Sequence, residues 1–192
     1  MIATENFDII IVQSQQELRD RLMIHYTSKK SWWLVTYKKC CDTVYISRSQ
    51  VLDELLCFGW IDGIRRKRDD CTTMQLICAR KTQSWSKTYK DRYEILLQSQ
   101  QVHQSGRDSV ALSQQLWLWD DMNDIDDCMI PDDFMVVLQQ YPDALQSFLA
   151  MWASSQRFTL RWIKLAKTPS TRDKRIQQAS FLASQWSKIP WL

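Results

Sequence analysis

The chain has 192 residues, of which 45% are hydrophobic and 24% charged, with a net charge of +3. That is enough for a real core, in one large domain or two small ones, and no run of about 18 apolar residues suggests a membrane-spanning helix. Six cysteines without a C-x-x-C pair and only two histidines offer no clustered zinc site, and reduced thiols are expected rather than a secreted disulfide scaffold.

Charge is unevenly placed. Residues 108–156 hold nine Asp and no Lys or Arg, whereas residues 157–192 hold eight basic residues and one acid, Asp173. Residues 61–90 hold eight basic residues against three acids. Such blocks fit internal complementarity or contacts between copies at least as well as nucleic-acid binding. Ten tryptophans are heavy usage. Trp is rarely fully buried, so some are expected along a groove or interface, although a Trp-rich core is the plainer account.

Residues 1–8 lack a basic start and a long apolar stretch, so no signal peptide is expected. Ile9-Ile10-Ile11-Val12 is β-branched and reads as a strand. Ser14 and Glu17 have capping-box spacing, and the helix they open shows Leu18, Leu22 and Tyr26 on one stripe, ending near Ser28. His25 beside that stripe reads as structural. Trp32-Trp33-Leu34-Val35-Thr36-Tyr37 is the best strand in the chain, with Lys38 and Lys39 at its exit.

Ser47 or Ser49 caps a short helix carrying Val51, Leu52, Leu55 and Leu56, which Gly59 stops. Cys57, in that apolar helix end, reads as a buried inert thiol rather than a nucleophile paired with His25 or His103. Trp60-Ile61-Asp62-Gly63-Ile64 leaves as a strand, Arg68-Asp69-Asp70 turns, and residues 72–79 return, which makes a hairpin with a basic rim. Asp62, a carboxylate in an apolar strand near several Arg, is either an ion-pair anchor or a ligand contact.

Ser84-Trp85-Ser86-Lys87 opens the next helix, with Trp85, Tyr89, Tyr93 (or Leu96) and Leu97 as its stripe and Gly106 as its break. A second short helix is expected to run to Trp117. Beyond an acidic connector the chain reads as helical. Pro131 and Pro142 fit helix starts. Phe134, Val137 and Leu138 form one stripe, and Leu145, Phe148, Leu149 and Trp152 another. Ser154 or Ser155 caps a helix with Phe158, Trp162 and Leu165 inward. Thr168-Pro169 is a cap followed by Pro at the first helical position, opening a helix with Ile176, Ala179, Leu182, Ala183 and Trp186 inward. The expected fold class is α+β, a small antiparallel sheet with helices followed by a C-terminal helical region. The expected divisions are an α+β domain over 1–119, an acidic connector over 120–133 and a helical region over 134–192.

Phosphate loops, dinucleotide turns and the G-x-S-x-G elbow are missing from a chain with three glycines. Lys38, Arg65, Arg80, Lys81, Lys87 and Arg92 could form an anion-binding face, with Trp60 and Trp85 for stacking, although a basic face is more often simply solvated.

The stretch Leu55-Leu56-Cys57-Phe58-Gly59-Trp60-Ile61-Asp62-Gly63 resembles the YdeI/OmpD-associated, or bacteriocin-protection, family. Trp33 with Tyr37-Lys38-Lys39, Asp69-Asp70, Arg80-Lys81, Trp85-Ser86-Lys87, Arg92 and Glu94 extend the resemblance. So do Arg161-Trp162-Ile163, Ala166-Lys167, Pro169, Thr171-Arg172 and Arg175-Ile176 in the tail, so that it runs over about residues 32–176. Two departures stand out. Leu76-Ile77-Cys78-Ala79 replaces an Arg-Phe-Thr-Pro run, and Tyr89 stands where the family commonly has Asn.

The resemblance implies a soluble bacterial α+β protein linked to bacteriocin protection and envelope stress, with neither a mechanism nor a cofactor. The expectation is a non-catalytic binding or protection protein of the cytoplasm. Its groove is expected to be lined by Trp60 and Trp85 and anchored by Lys38, Asp62 and Arg80, with Arg65, Ser86 and Arg92 completing the candidate set. The ligand is expected to be a peptide or small molecule, and assembly of copies through the acidic and basic blocks is a further expectation. The rivals are an enzyme using Asp62 beside Arg80 and Ser86, and, ranked behind them, nucleic-acid binding through residues 65–90. No metal, cofactor or membrane insertion is expected.

Overall fold

The aromatic, β-branched segment β2 (Trp32–Tyr37) lies inside a four-stranded sheet, which is why both of its faces carry buried side chains. The computed structural model describes residues 7–187, so the N-terminal reading over residues 1–6 lies outside the described residues. The chain divides into two compact units, Met1–Asp121 and Met122–Leu192.

In the first unit the strand order is β1-β2-β4-β3, with β1 (Ile9–Ile11), β3 (Trp60–Lys67) and β4 (Thr72–Ala79). β1 runs parallel to β2, so the sheet is mixed rather than wholly antiparallel. A parallel pair needs a crossover, and α1 (Gln15–His25) supplies it. Ser14 Oγ accepts from the Glu17 amide at 3.1 Å, and Glu17 reaches back to the Gln13 amide at 2.9 Å. Leu18 and Leu22 are buried as expected, but the helix stops before Tyr26, which is exposed.

The helix α2 (Arg48–Cys57) opens with a complete Ser47/Gln50 capping box. It ends at Gly59, whose φ of +72° suits glycine. The break expected at Gly106 lies elsewhere. α3 (Lys87–Gln98) ends at Ser99, Gln100 turns with φ +57°, and Gly106 sits inside α4 (Gln104–Gln115). There it lets α4 press on the end of α2, since a Cβ would lie 2.3 Å from the Cys57 carbonyl oxygen.

Ile10, Trp32, Leu34, Trp60 and Ile77 share one sheet face and join Leu18, Leu22, Val51, Leu55, Leu56, Tyr93 and Leu96 of the helices in one core. Burying side chains of this size contributes roughly 1.5–3 kcal/mol each.

The second unit contains α5 (Asn123–Asp126), α6 (Asp132–Gln140), α7 (Ala144–Ala150), α8 (Ala153–Lys164) and α9 (Pro169–Ser184). Met122 and Ile125, within the acidic stretch, are buried in its core with Phe134, Leu138, Phe148, Ile163 and Ile176. Thr168 caps α9 by accepting from the Thr171 amide at 3.2 Å, with Pro169 at the first helical position. Pro131 stands at the start of α6 as its cap residue, and Pro142 just precedes the cap of α7, as expected of helix starts. The cap expected at Ser154 or Ser155 fails, because α8 begins after Trp152. Its buried residues are Thr159, Leu160 and Ile163, Phe158 and Trp162 pack half-buried against the same core as expected, and Leu165 is exposed. Leu149, Trp152 and Trp186 are exposed as well. The acidic stretch and the basic tail pair within this unit, Lys164 with Asp124 at 2.8 Å and Arg172 with Asp133 at 2.6 Å.

Candidate functional site

Strand β3 opens with Trp60, packed in the core, and continues through Asp62 to the basic rim. Asp62 pairs with Ile77 and Arg65 with Gln75, so Gly63 and Ile64 together oppose Leu76 alone. This is a β-bulge. In a regular strand residues three apart face opposite sides, and the extra residue brings Asp62 and Arg65 to the same side. That side is the one the helices cover.

The result is a cleft of about 320 Å³ lined by Asp62, Gly63, Arg65 and Gln75 of the hairpin and Arg48, Val51 and Leu52 of α2. Asp62 is half-buried and its carboxylate is held at both oxygens. Tyr89 Oη donates to Oδ1 at 2.7 Å and Gln75 Nε2 donates to Oδ2 at 3.0 Å. Tyr89 and Gln75 together therefore fix Asp62. Arg65 Nη2 donates to Thr73 Oγ1 at 2.8 Å, while its Nε is sealed without an acceptor among the described residues. Burial, then the like charge of Arg48, holds the Arg65 guanidinium below its ordinary value, against a partial pull from Tyr45 and Asp62.

The remaining candidates serve the fold. Trp60 is 1% exposed and Trp85 is 0% exposed, so neither lines a groove. Trp60 meets Trp32 edge-on at 6.2 Å, and Trp85 packs on Tyr93 and Trp119. Arg80 is 7% exposed and stacks over Trp85 at 4.0 Å. Its Nη1 donates to the Gln83 carbonyl at 3.0 Å, and desolvation lowers its pKa to about 10. Lys38 Nζ donates to the carbonyls of Asp69 and Asp70 at 2.6 and 3.0 Å, tying the end of β2 to the hairpin turn. Arg92 grips Asp53 at 2.5 and 3.0 Å and binds Ser49, which joins α3 to α2. Ser86 is the cap residue of α3, without a side-chain cap bond.

Two expectations fall with these placements. The six basic residues do not make one face, because Arg80 is buried and Lys38, Lys87 and Arg92 have partners close by. Asp62 also does not form a hydrogen-bonded set with Arg80 and Ser86, since its partners are Tyr89 and Gln75. Sequence reasoning missed Arg48, Gln75 and Tyr89. The bulge glycine and the basic residue opening a capped helix were visible, but their convergence required the strand register.

The tail residues that carry the resemblance have packing roles. Ile163 and Ile176 are buried, Arg172 pairs with Asp133, and Arg175 donates to the Trp162 carbonyl while lying 5.1 Å over its ring. Among the described residues no helix is long and apolar enough to cross a membrane, and no group of His, Cys, Asp or Glu could hold a metal ion.

Two family models match, each within one of the two units. A domain of unknown function (DUF8412) covers residues 10–109, just over half of the chain, and includes the cleft and the Cys57-Phe58-Gly59-Trp60-Ile61-Asp62 block. The model described as Bacteriocin-protection, YdeI or OmpD-Associated covers residues 127–185, a shorter stretch than the resemblance drawn over 32–176. No curated protein and no solved structure matches the chain. The chain therefore belongs, through its first unit, to the family of that domain of unknown function, and its second unit is similar to the bacteriocin-protection, YdeI or OmpD-associated proteins.

Proposed function

We propose that this is a non-catalytic binding protein of the bacterial cytoplasm that contributes to protection against bacteriocins, with the Asp62 cleft as its ligand site. One observation carries the reading. Asp62 is held rigid by Tyr89 and Gln75 and still lines a cleft of about 320 Å³. A pre-positioned carboxylate in a small concave site suits recognition of a hydrogen-bond donor on a ligand. Similarity of residues 127–185 to bacteriocin-protection proteins supports the protective role. Six free thiols support the reducing compartment. Binding is preferred over catalysis because the residues lining the cleft with Asp62 include no Ser, Cys, His or Lys to act as its nucleophile or proton partner.

The test has two arms. A screen of small amides and amines, read by backbone amide shifts, is expected to perturb Asp62, Gly63 and Gln75, and the response should vanish in Asp62→Ala with the fold intact. Hits that persist in that variant remove Asp62 from the site. In the second arm, a bacteriocin-sensitive strain producing the protein should survive exposure better than the same strain producing Asp62→Ala. Equal survival would sink the protective reading.

A further inference from the structure

The arginines of this cleft are provisioned differently from others in the same unit. Arg19 is paired with Glu54 at 3.0 Å and Arg92 with Asp53 at 2.5 Å. Arg48 and Arg65 face one cleft with no ion pair to a carboxylate among the described residues. Asp62 lines the same cleft and offsets part of this charge, but its nearest partners are the neutral donors Tyr89 and Gln75. Arg48 bears on Arg65 as a like charge that Asp62 offsets only in part, and the Arg65 guanidinium, with its Nε sealed without an acceptor among the described residues, is incompletely satisfied.

We infer that the cleft is a seat for an oxyanion, a phosphate or carboxylate group of the ligand clasped between Arg48 and Arg65. The inference rests on reading the cleft as a ligand site, and it names the chemistry of the ligand. An oxyanion offers several lone pairs, enough to accept from two guanidinium groups at once, and charge-assisted bonds of this kind are the strong ones. The bulge is what makes the seat, since it brings Arg65 round to the face where α2 presents Arg48. Asp62 then sets the second requirement, a donor beside the anionic group. The ligand that fits carries an oxyanion with an amine, amide or hydroxyl next to it.

The test uses the whole chain and two probes, inorganic phosphate and acetate, each titrated at constant ionic strength. The readouts are the Arg65 Nε–H resonance and the backbone amides of Arg48, Gly63 and Gln75. A saturable shift at these positions with either probe is expected, and the tighter probe identifies the oxyanion. Arg48→Gln should weaken binding about tenfold, the size expected for one lost charge-assisted bond. Asp62→Ala should bind phosphate as well as the parent or better, so the oxyanion seat and the Asp62 contact fail independently. No saturable shift with either probe overturns the inference, as does a shift spread equally over the exposed Arg66 and Arg68, or one that Arg48→Gln leaves unchanged.

Discussion

Asp62 and Arg65 are three residues apart in one strand yet share a face of the sheet, because Gly63 and Ile64 bulge opposite Leu76. The acid is fixed by Tyr89 and Gln75, and the base reaches Thr73. The hairpin thus presents an acceptor and a cation to one cleft without an ion pair between them among the described residues.

Removing the Tyr89 hydroxyl tests how Asp62 is held. Tyr89→Phe should cost about 1 kcal/mol, the net worth of one such hydrogen bond. Urea denaturation should show a lower midpoint with an unchanged slope. An unchanged midpoint would mean that the Tyr89 hydroxyl adds nothing to what Gln75 and the strand already supply.

The contact between α2 and α4 depends on a missing side chain. Gly106→Ala places a Cβ 2.3 Å from the Cys57 carbonyl oxygen. The two helices must then separate, at a cost of roughly 1–3 kcal/mol. Gly59→Ala should cost a similar amount, about 1–3 kcal/mol, because its φ of +72° is strained for alanine and Ser109 Cβ would lie 2.6 Å away. Thermal denaturation of both variants measures this, and a neutral Gly106→Ala would contradict the packing.

The hairpin turn has a pH signature. The Thr72 hydroxyl, at 2.6 Å, with the amides of Cys71 and Thr72, holds Asp69 below its ordinary value of 3.8. A carboxylate depressed by folding adds stability above its unfolded value, and that stability is lost as pH falls through the folded value. Carboxyl-carbon NMR should therefore find Asp69 titrating below 3.8, and Thr72→Val should move it upward.

Cys57 gives the opposite sign. Burial, then the charge of Glu54, pushes its thiol from 9.0 up to about 11. Between those values the unfolded chain loses a proton that the folded chain keeps, so stability falls as pH rises through that window and is unaffected by this group below it. In the native protein a thiol reagent should label the exposed Cys40 and Cys71 and reach Cys57 only on unfolding. Rapid native labelling of Cys57 would mean that the end of α2 opens readily.

Much of the fold was legible because its signals are local. Ser14 with Glu17, Ser47 as one of two candidate caps, and Thr168 with Pro169 each act within one turn of helix. The residue types of β2 suit a pleated, buried surface. The misses depend on partners distant in sequence. Gly106 looked like a breaker because its role lies against Cys57, and Trp60 and Trp85 looked like groove walls because aromatic residues suit both surfaces and cores. In α8 the expected Phe158 and Trp162 do pack half-buried against the core, but the fully buried residues are Thr159, Leu160 and Ile163, and Leu165 is exposed. Asp62 stood out in sequence as a carboxylate in an apolar strand, but its companions Arg48, Gln75 and Tyr89 emerge only from the register, the bulge and the packing of helices on the sheet.

The central claim is that Asp62 faces a ligand rather than only holding the hairpin together. The most direct measurement is the amide and amine screen on the parent chain and on Asp62→Ala, with a backbone amide spectrum confirming that the variant is folded. The account predicts shifts converging on Asp62, Gly63 and Gln75 in the parent and their loss in the variant. Shifts that survive Asp62→Ala unchanged, or that gather away from the cleft, would contradict it.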